Sequence, residues 1–324
     1  MKKNTPYIIA AIVFIAALAG IVINYTSKKA VLPAATASTY DLLPRKGVAA
    51  DNPEWLSVKQ QVLKLTEKIK NNPQDTTSLI QLAILFTQEA RITGNHVYYD
   101  KAALQYVNNV LKLSPNNFEG LMIKGLIYVS QHHFSEGLDI AEKAKAANPY
   151  NSFVYGIITD ANVELGNYKS AVENADKMAS FRPDMKSYSR VAYLREIYGD
   201  YPGAIEAMQM AVDAGIPGDE NTEWARIQLA RLYENTGDLA MAEALYNMSL
   251  ETRPSYAYAL AGLAKLAAGK KDYKKAIEYY QQAQLTTVDN AITEGLAETY
   301  VLSGDTKKAD ELNKQLISAL SKDA

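Results

Sequence analysis

The chain has 324 residues, and its 48% hydrophobic content excludes a disordered protein. Because 34 Lys and Arg face 36 Asp and Glu, the net charge is −2, and we expect no nucleic-acid partner for a chain without an overall positive field. The absence of cysteine excludes disulfides, thiolate catalysis and cysteine-ligated metals.

An uncharged apolar run occupies residues 7–23. As a helix it reaches about 26 Å, slightly less than a hydrocarbon core of ~30 Å. The run continues past Ala17-Leu18-Ala19, the small-x-small site at which a signal peptide could be cleaved. We therefore predict an uncleaved signal anchor in residues 1–29 that contacts the membrane through residues 7–23, with a cleaved signal peptide as the alternative.

The predicted anchor determines the expected location. A single N-terminal anchor usually exports the large C-terminal part of a chain, although Lys2 and Lys3 on one side are balanced by Lys28 and Lys29 on the other. We expect a single-pass protein of the inner (cytoplasmic) membrane with a periplasmic C-terminal part. If the signal is cleaved, the protein is secreted to the periplasm.

Two segments separate the anchor from the rest of the chain. Residues 30–52 are rich in Ala, Thr and Pro and show no helical period, which predicts a flexible linker with an average span of about 25 Å. Residues 53–75 contain an amphipathic stretch from Trp55 to Lys70, which predicts an N-terminal capping helix.

From residue 76 onward the sequence repeats. Pro115, Pro149 and Pro183 are each 34 residues apart, and each follows an apolar-periodic segment that proline would end. When each proline is placed at position 32 of a 34-residue unit, positions 8 and 20 hold only Ala, Gly or Thr in seven units. Position 8 is Ala83, Gly125, Thr159, Ala192, Ala230, Ala264 and Ala297, and position 20 is Ala103, Gly137, Ala171, Ala204, Ala242, Ala276 and Ala309.

Small side chains at two positions twelve apart indicate two helices in close contact within one hairpin. The pattern resembles the tetratricopeptide repeat, most clearly from Trp224 to Pro254. It predicts an all-α fold, a right-handed superhelical solenoid of about seven hairpins over residues 76–324, preceded by one transmembrane or signal helix. The predicted units are residues 76–117, 118–151, 152–184, 185–218, 223–256, 257–289 and 290–324.

Two units depart from the regular length. The first carries about eight extra residues around residues 91–101, and about four extra residues, 216–219, precede the fifth. His96 lies in the first insertion, which either forms a loop that contacts a partner or extends the helices of the hairpin.

The resemblance implies that the first helix of each unit lines a concave groove, with positions 2, 5, 9 and 12 pointing into it. Mixed aromatic and charged groups there are typical of a groove that binds a peptide or helix of a protein partner. In the first two units the apolar groove positions Ile80, Ile84, Met122 and Leu126 either line the groove or pack under the capping helix. The predicted partner-binding residues are Asp160, Tyr193, Glu196, Trp224, Ile227, Arg231, Glu234, Tyr258 and Lys265.

Some family members bind the C-terminal carboxylate of chaperones with Lys at position 5 and Asn at position 9. None of the seven units has this pair, so we expect no chaperone-tail clamp. The adjacent His132 and His133 point in different directions and have no third ligand near them in sequence, which favours a solvent-facing turn and predicts no metal site.

The sequence contains no phosphate-binding loop, nucleophile elbow or zinc-protease helix, so we expect no catalytic residues, no cofactor and no enzyme activity. These observations favour a non-catalytic protein-binding scaffold of the cell envelope. The alternative is a receptor for a glycan or cell-wall fragment, in which Tyr193, Trp224 and Tyr258 stack on sugar rings.

Overall fold

The computed structural model describes residues 40–47 and 53–323, which consist of helices and short connections. The predicted anchor at residues 7–23 and the linker outside residues 40–47 lie beyond this description. Among the described helices, none combines the length and apolar character needed to span a bilayer. The described helices are α1 Pro53–Asn71, α2 Thr76–Thr93, α3 His96–Leu113, α4 Phe118–Ser130, α5 Phe134–Ala147, α6 Ser152–Glu164, α7 Tyr168–Phe181, α8 Met185–Ile197, α9 Tyr201–Asp213, α10 Glu220–Asn235, α11 Leu239–Thr252, α12 Ala257–Gly269, α13 Tyr273–Gln284, α14 Asn290–Ser303 and α15 Thr306–Asp323.

Local sequence sets where most of these helices begin. An Asp or Asn precedes eleven of them and accepts a hydrogen bond from a backbone N–H of the first turn, a contact that stabilises a helix by about 1 kcal/mol. Asp184 also forms a reciprocal capping box with Ser187. The boundaries therefore follow from side chains that are visible in the sequence.

After the capping helix α1, the helices pair in sequence as hairpins, from α2 with α3 to α14 with α15. The first helices of successive hairpins also contact each other, from α2 with α4 to α12 with α14. In a curved array such contacts belong to the inner layer, where neighbouring units crowd together. The predicted all-helical array of hairpins is confirmed for the described residues.

The small residues lie where the two helices of a hairpin meet. A Cβ added to Gly125 would lie 3.3 Å from the Gly137 carbonyl oxygen, twelve positions further along the chain. The Thr159 hydroxyl donates to the Ala171 carbonyl at 3.5 Å, across the same spacing in the next unit. The close contact that the repeat pattern predicts is thus confirmed.

Every hairpin turn contains one residue with left-handed backbone geometry. Five turns use glycine, which has no Cβ to strain, whereas His132 and Lys271 adopt φ values of 62° and 61° in the other two. His132 contacts Phe134 edge-on, and His133 lies against Tyr128, with ring centroids 5.4 and 5.9 Å apart. The histidine pair is therefore part of a turn, as the sequence favoured.

The first insertion lengthens its hairpin instead of forming a loop. Helices α2 and α3 have 18 residues each, whereas α4 and α5 of the next unit have 13 and 14. His96 is the first residue of α3, so the helix-extension alternative is confirmed. We call residues 91–99 the hairpin tip.

Part of the predicted linker is fixed against this tip. The Leu43 N–H donates to the Tyr99 hydroxyl at 3.1 Å, and Tyr98 donates to the Asp41 carbonyl at 2.7 Å. Arg45 is only 4% exposed. Residues 41–47, which we call the strap, are therefore not a flexible chain, because the tip supplies hydroxyl groups that bind their backbone.

The helix contact predicts the effect of a bulky residue in the hairpin. Ala230 and Ala242 are both fully buried, whereas Met241 is 43% exposed. We expect Ala230→Phe to destabilise the array by about 3 kcal/mol or more and to broaden its thermal transition, because the helices must separate. Calorimetry and circular dichroism measure this effect, with Met241→Phe as the control. An Ala230→Phe variant that melts as sharply and as hot as the parent would contradict the packing scheme.

Candidate functional site

The predicted partner-binding residues lie on four consecutive first helices of the inner layer. These helices contact one another in the order α6, α8, α10 and α12. Asp160 is on α6, Tyr193 and Glu196 are on α8, Trp224, Ile227, Arg231 and Glu234 are on α10, and Tyr258 and Lys265 are on α12.

Two aromatic side chains of this set are open to solvent. Tyr193 is 47% exposed and Trp224 is 38% exposed. Partial burial, together with the nearby carboxylates of Glu164 and Glu196, raises the pKa of Tyr193 above its ordinary value. The neutral phenol thus persists at physiological pH, and both rings present apolar surface on neighbouring helices.

Ile227 is not available to a partner, which corrects its assignment to the groove. It is 5% exposed and belongs to the hydrophobic cluster shared by α8 to α12. The reason is that α8 and α12 pack on the two flanks of α10 and cover this position. In the first unit Ile80 is likewise buried, whereas Ile84 is 38% exposed.

Glu234 holds three helices together. Its side chain is 6% exposed and accepts hydrogen bonds from the Tyr246 hydroxyl at 2.5 Å and from Lys265 Nζ at 2.7 Å. Burial and this carboxylate raise the pKa of Tyr246. Glu234 therefore joins α10 to α11 and α12 through Tyr246 and Lys265. The Nζ atom of Lys265 is paired, although its side chain is 65% exposed.

Asp160 positions a guanidinium that the sequence reasoning missed. Arg190 donates from Nε and Nη2 to the two carboxylate oxygens of Asp160, at 2.8 and 2.5 Å. A Cβ on Gly156 would lie 2.9 Å from the Arg190 Cζ atom, so glycine leaves the room that this side chain needs. The only sequence signal was the glycine at position 5 of the third unit.

The hairpin tip reaches across the array to later units. Arg91 contacts Glu220 at 3.0 Å and Asn221 at 2.8 Å, at the start of the fifth unit. The Thr93 carbonyl accepts hydrogen bonds from the backbone N–H of Val288 and the hydroxyl of Thr287, at 3.0 and 3.1 Å. Units far apart in sequence are thus joined, and we call these contacts the closure.

A buried ionic network extends the closure through the strap. Arg45 donates from Nε and Nη2 to Glu89 at 2.9 and 2.5 Å, and its Nη2 also lies 2.8 Å from Glu54. Glu54 is 3.0 Å from Arg253, which donates to the Gly218 carbonyl at 3.0 Å. Burial alone would raise the pKa of Glu54, but the two guanidinium groups outweigh it and lower the pKa.

The second irregularity of the repeat supplies the other side of the closure. The insertion at residues 216–219 ends at the N-cap of α10, and Glu223 accepts the Gly218 N–H at 2.8 Å. Glu223 is fully buried and also accepts from Arg226 Nε at 3.0 Å. Both departures from the 34-residue length therefore contribute to one set of contacts.

A Ser–His–Asp group lies between the first two units but lacks the geometry of a nucleophilic triad. Ser130 Oγ and Asp100 Oδ2 both approach the same ring nitrogen of His96, Nδ1, at 3.4 and 3.3 Å. A triad uses one ring nitrogen for each partner. In the described part of the chain, no three His, Asp or Glu side chains are grouped closely enough to bind a metal ion.

The comparison with family models supports the prediction that the chain contains helical repeats. A family model described as "Tetratricopeptide repeat" matches residues 227–309. Residues 227–309 are therefore similar to tetratricopeptide repeats. No protein of curated function is significantly similar to the sequence.

Solved structures share the tetratricopeptide-repeat fold at low sequence identity. A tetratricopeptide repeat protein from Parabacteroides merdae aligns with a TM-score of 0.56 and 16% identity over 76% of this chain and 93% of its own. The APC/C hetero-tetramer Cut9-Hcn1 gives 0.62 and 16% identity over 80% of this chain, which spans about half (49%) of that longer chain. The human IFIT1 dimer with m7Gppp-AAAA gives 0.61 and 16% identity, over 81% of this chain and 68% of the other. These similarities show the fold alone.

The buried network predicts that the closure depends on Arg45. Replacing this residue by Met leaves the Glu89 carboxylate buried without its partner, which typically costs about 3 kcal/mol. We expect Arg45→Met to lower the free energy of unfolding by this amount and to speed hydrogen exchange at the Val288 amide. Arg182→Met is the control, because Arg182 pairs with Asp184 at the exposed surface. Equal effects of the two variants would argue against a stabilising closure.

The closure also predicts a pH dependence. Burial would raise the pKa of Glu223, but hydrogen bonds from Gly218 and Arg226 lower it below the ordinary 4.5. A lowered folded-state pKa contributes stability that is present above pH 4.5 and lost as the pH falls through the folded value. The difference in unfolding free energy between the parent and Glu223→Gln should therefore narrow below pH 4.5. Chemical denaturation across this range measures it, with the exposed Glu206→Gln as control; a constant difference would contradict the assignment.

Proposed function

We propose that this protein is a non-catalytic scaffold of the cell envelope that holds a peptide or helix of a protein partner on its inner layer. The observation that carries the proposal is the pair of exposed aromatic rings, Tyr193 and Trp224, on the neighbouring helices α8 and α10. Aromatic residues are enriched at the centres of protein interfaces because they bury a large area with few rotatable bonds.

Fixed polar groups surround the aromatic pair and give the surface a defined shape. Glu196 accepts a hydrogen bond from Asn235 at 3.1 Å, and Arg190 is held on Asp160. Arg231 is exposed and contacts only Gln228, at 3.4 Å, among the described residues. A partner that covers the two rings would thus meet charges already in place, which lowers the entropic cost of binding.

The envelope location rests on the apolar run at residues 7–23 and on its continuation beyond the small-residue site. We propose that this run anchors the chain in the inner membrane with the array in the periplasm. Cleavage would instead release the same array into the periplasm.

A glycan or cell-wall fragment is the second candidate ligand, since exposed aromatic rings also stack on sugars. Tyr258 contributes less than expected, because it is only partly exposed and its hydroxyl donates to Asp289 at 3.1 Å. Of the three predicted aromatic residues, Tyr193 and Trp224 therefore remain for stacking on sugar rings. A glycan-binding screen on the full-length chain tests this candidate.

The proposal predicts where a partner can be crosslinked. A photoactivatable amino acid at position 224 should capture a protein in intact cells, because this side chain lies in the proposed interface. The same substitution at Met248, on the second helix α11 and 46% exposed, is the matched control. Equal capture at both positions, or none at position 224, would reject the inner layer as the binding surface.

Charge reversal provides an independent test. We expect Arg231→Glu to weaken recovery of the crosslinked partner about tenfold while helicity stays unchanged, since this side chain is exposed. Glu234 is unsuitable for reversal because its carboxylate holds Tyr246 and Lys265. Circular dichroism and quantitative pulldown together measure the outcome, and unchanged recovery would remove Arg231 from the interface.

A further inference from the structure

One ammonium group beside the proposed interface has no anionic partner in the part of the chain that the structure describes. Lys186 lies in the first turn of α8, and its Nζ atom is 4.4 Å from the centre of the Phe153 ring. Among the described residues, no carboxylate comes within ion-pair distance of this atom. In such a cation–π contact the aromatic ring covers one side of the ammonium group. The N–H groups on its other sides can still donate hydrogen bonds.

Three guanidinium groups share this region. The Arg190 Nη1 atom donates to the Lys186 carbonyl at 2.9 Å, and Arg182 pairs with Asp184, the N-cap of α8. Lys186 as a whole is exposed, but the surrounding protein partly desolvates its ammonium group; this desolvation, followed by the charges of Arg190, Arg91 and Arg182, lowers the pKa of Lys186. The positive charges therefore repel one another at this place.

The carboxylates present do not balance the cluster. Arg190 is paired with Asp160, Arg182 with Asp184 and Arg91 with Glu220, which leaves the charge of Lys186 uncompensated. Positive groups at a helix N-terminus also oppose the helix dipole, by about 0.3–1 kcal/mol each. The cluster of positive charges does not stabilise α8. Residues that lower local stability in this way are typical of functional sites.

Arg91 reaches the cluster only through the closure. It belongs to the hairpin tip of the first unit, whereas Lys186 belongs to the fourth. The contacts of Arg91 with Glu220 and Asn221 hold it there. The complete set of four cations thus exists only in the closed array.

Resting on the proposed function of the inner layer, we propose that Lys186 is the docking point for a carboxylate of an acidic peptide segment in the partner, with Arg91, Arg182 and Arg190 around it. Phe153 offers apolar surface beside the charge. At the other end of α8, about 15 Å away, Glu164 and Glu196 flank Tyr193. These carboxylates repel a long polyanion, so a short acidic segment fits better than a nucleic acid.

The test compares two labelled octapeptides, one with alternating Glu and Leu and one with Gln in place of Glu, on the full-length chain. We expect the Glu peptide to bind at least about tenfold more tightly, and Lys186→Gln to remove this advantage. Lys274→Gln, at another exposed lysine, should leave it unchanged. Because Lys186 is exposed, neither variant should alter the thermal transition.

Three outcomes would overturn the assignment: equal affinity of the two peptides, full retention of the preference in Lys186→Gln, or displacement of the Glu peptide by inorganic phosphate at lower concentrations than by acetate. The crosslink at position 224 separates this inference from the proposed function. If that crosslink forms while the Glu peptide fails, only the acidic nature of the partner is wrong. If both fail, the inner layer is not the binding surface.

Discussion

The close approach of two helices within each hairpin is the constraint on which this structure depends. Where Gly125 faces Gly137, a single added Cβ would already lie within 3.3 Å of the opposite backbone. Tight hairpins stack with their first helices in mutual contact, so the array curves toward that layer. The curvature in turn brings the first unit near the start of the fifth unit and the end of the sixth, where the closure forms.

The closure shows that departures from the regular repeat length can have a structural role. The longer α2–α3 hairpin provides reach, and the insertion before α10 provides the surface that it meets. Between them lies the pair formed by Arg45 and Glu89, both almost fully buried. A buried ion pair adds little net stability compared with apolar packing, but it penalises any arrangement that separates the charges. It therefore specifies one closed geometry, with the strap as part of it.

The inner layer combines residues of different accessibility. Tyr193 and Trp224 are exposed, whereas Ile227 is in the core and Glu234 serves the contacts among three helices. A periodic position indicates which side of a helix a residue occupies, but the depth of the neighbouring units decides its exposure. For this reason the predicted binding residues are not all available to a partner. The proposed interface also includes Arg190, which is not at a groove position, and Lys186, which is at position 2 of the fourth unit but was not among the predicted binding residues.

The sequence by itself determined the helical hairpins, their number and the two facing rows of small residues, because helix periodicity, caps and close contacts depend on neighbours within one unit. It also located both length irregularities. Only the tertiary structure decided what these irregularities do, since Arg91 meets Glu220, and Arg45 meets Glu89, through chain separations that no repeat period encodes. The same holds for the fixed strap and for Lys186, whose ammonium group meets no carboxylate at ion-pair distance among the described residues, because these contacts depend on how separate units pack in space.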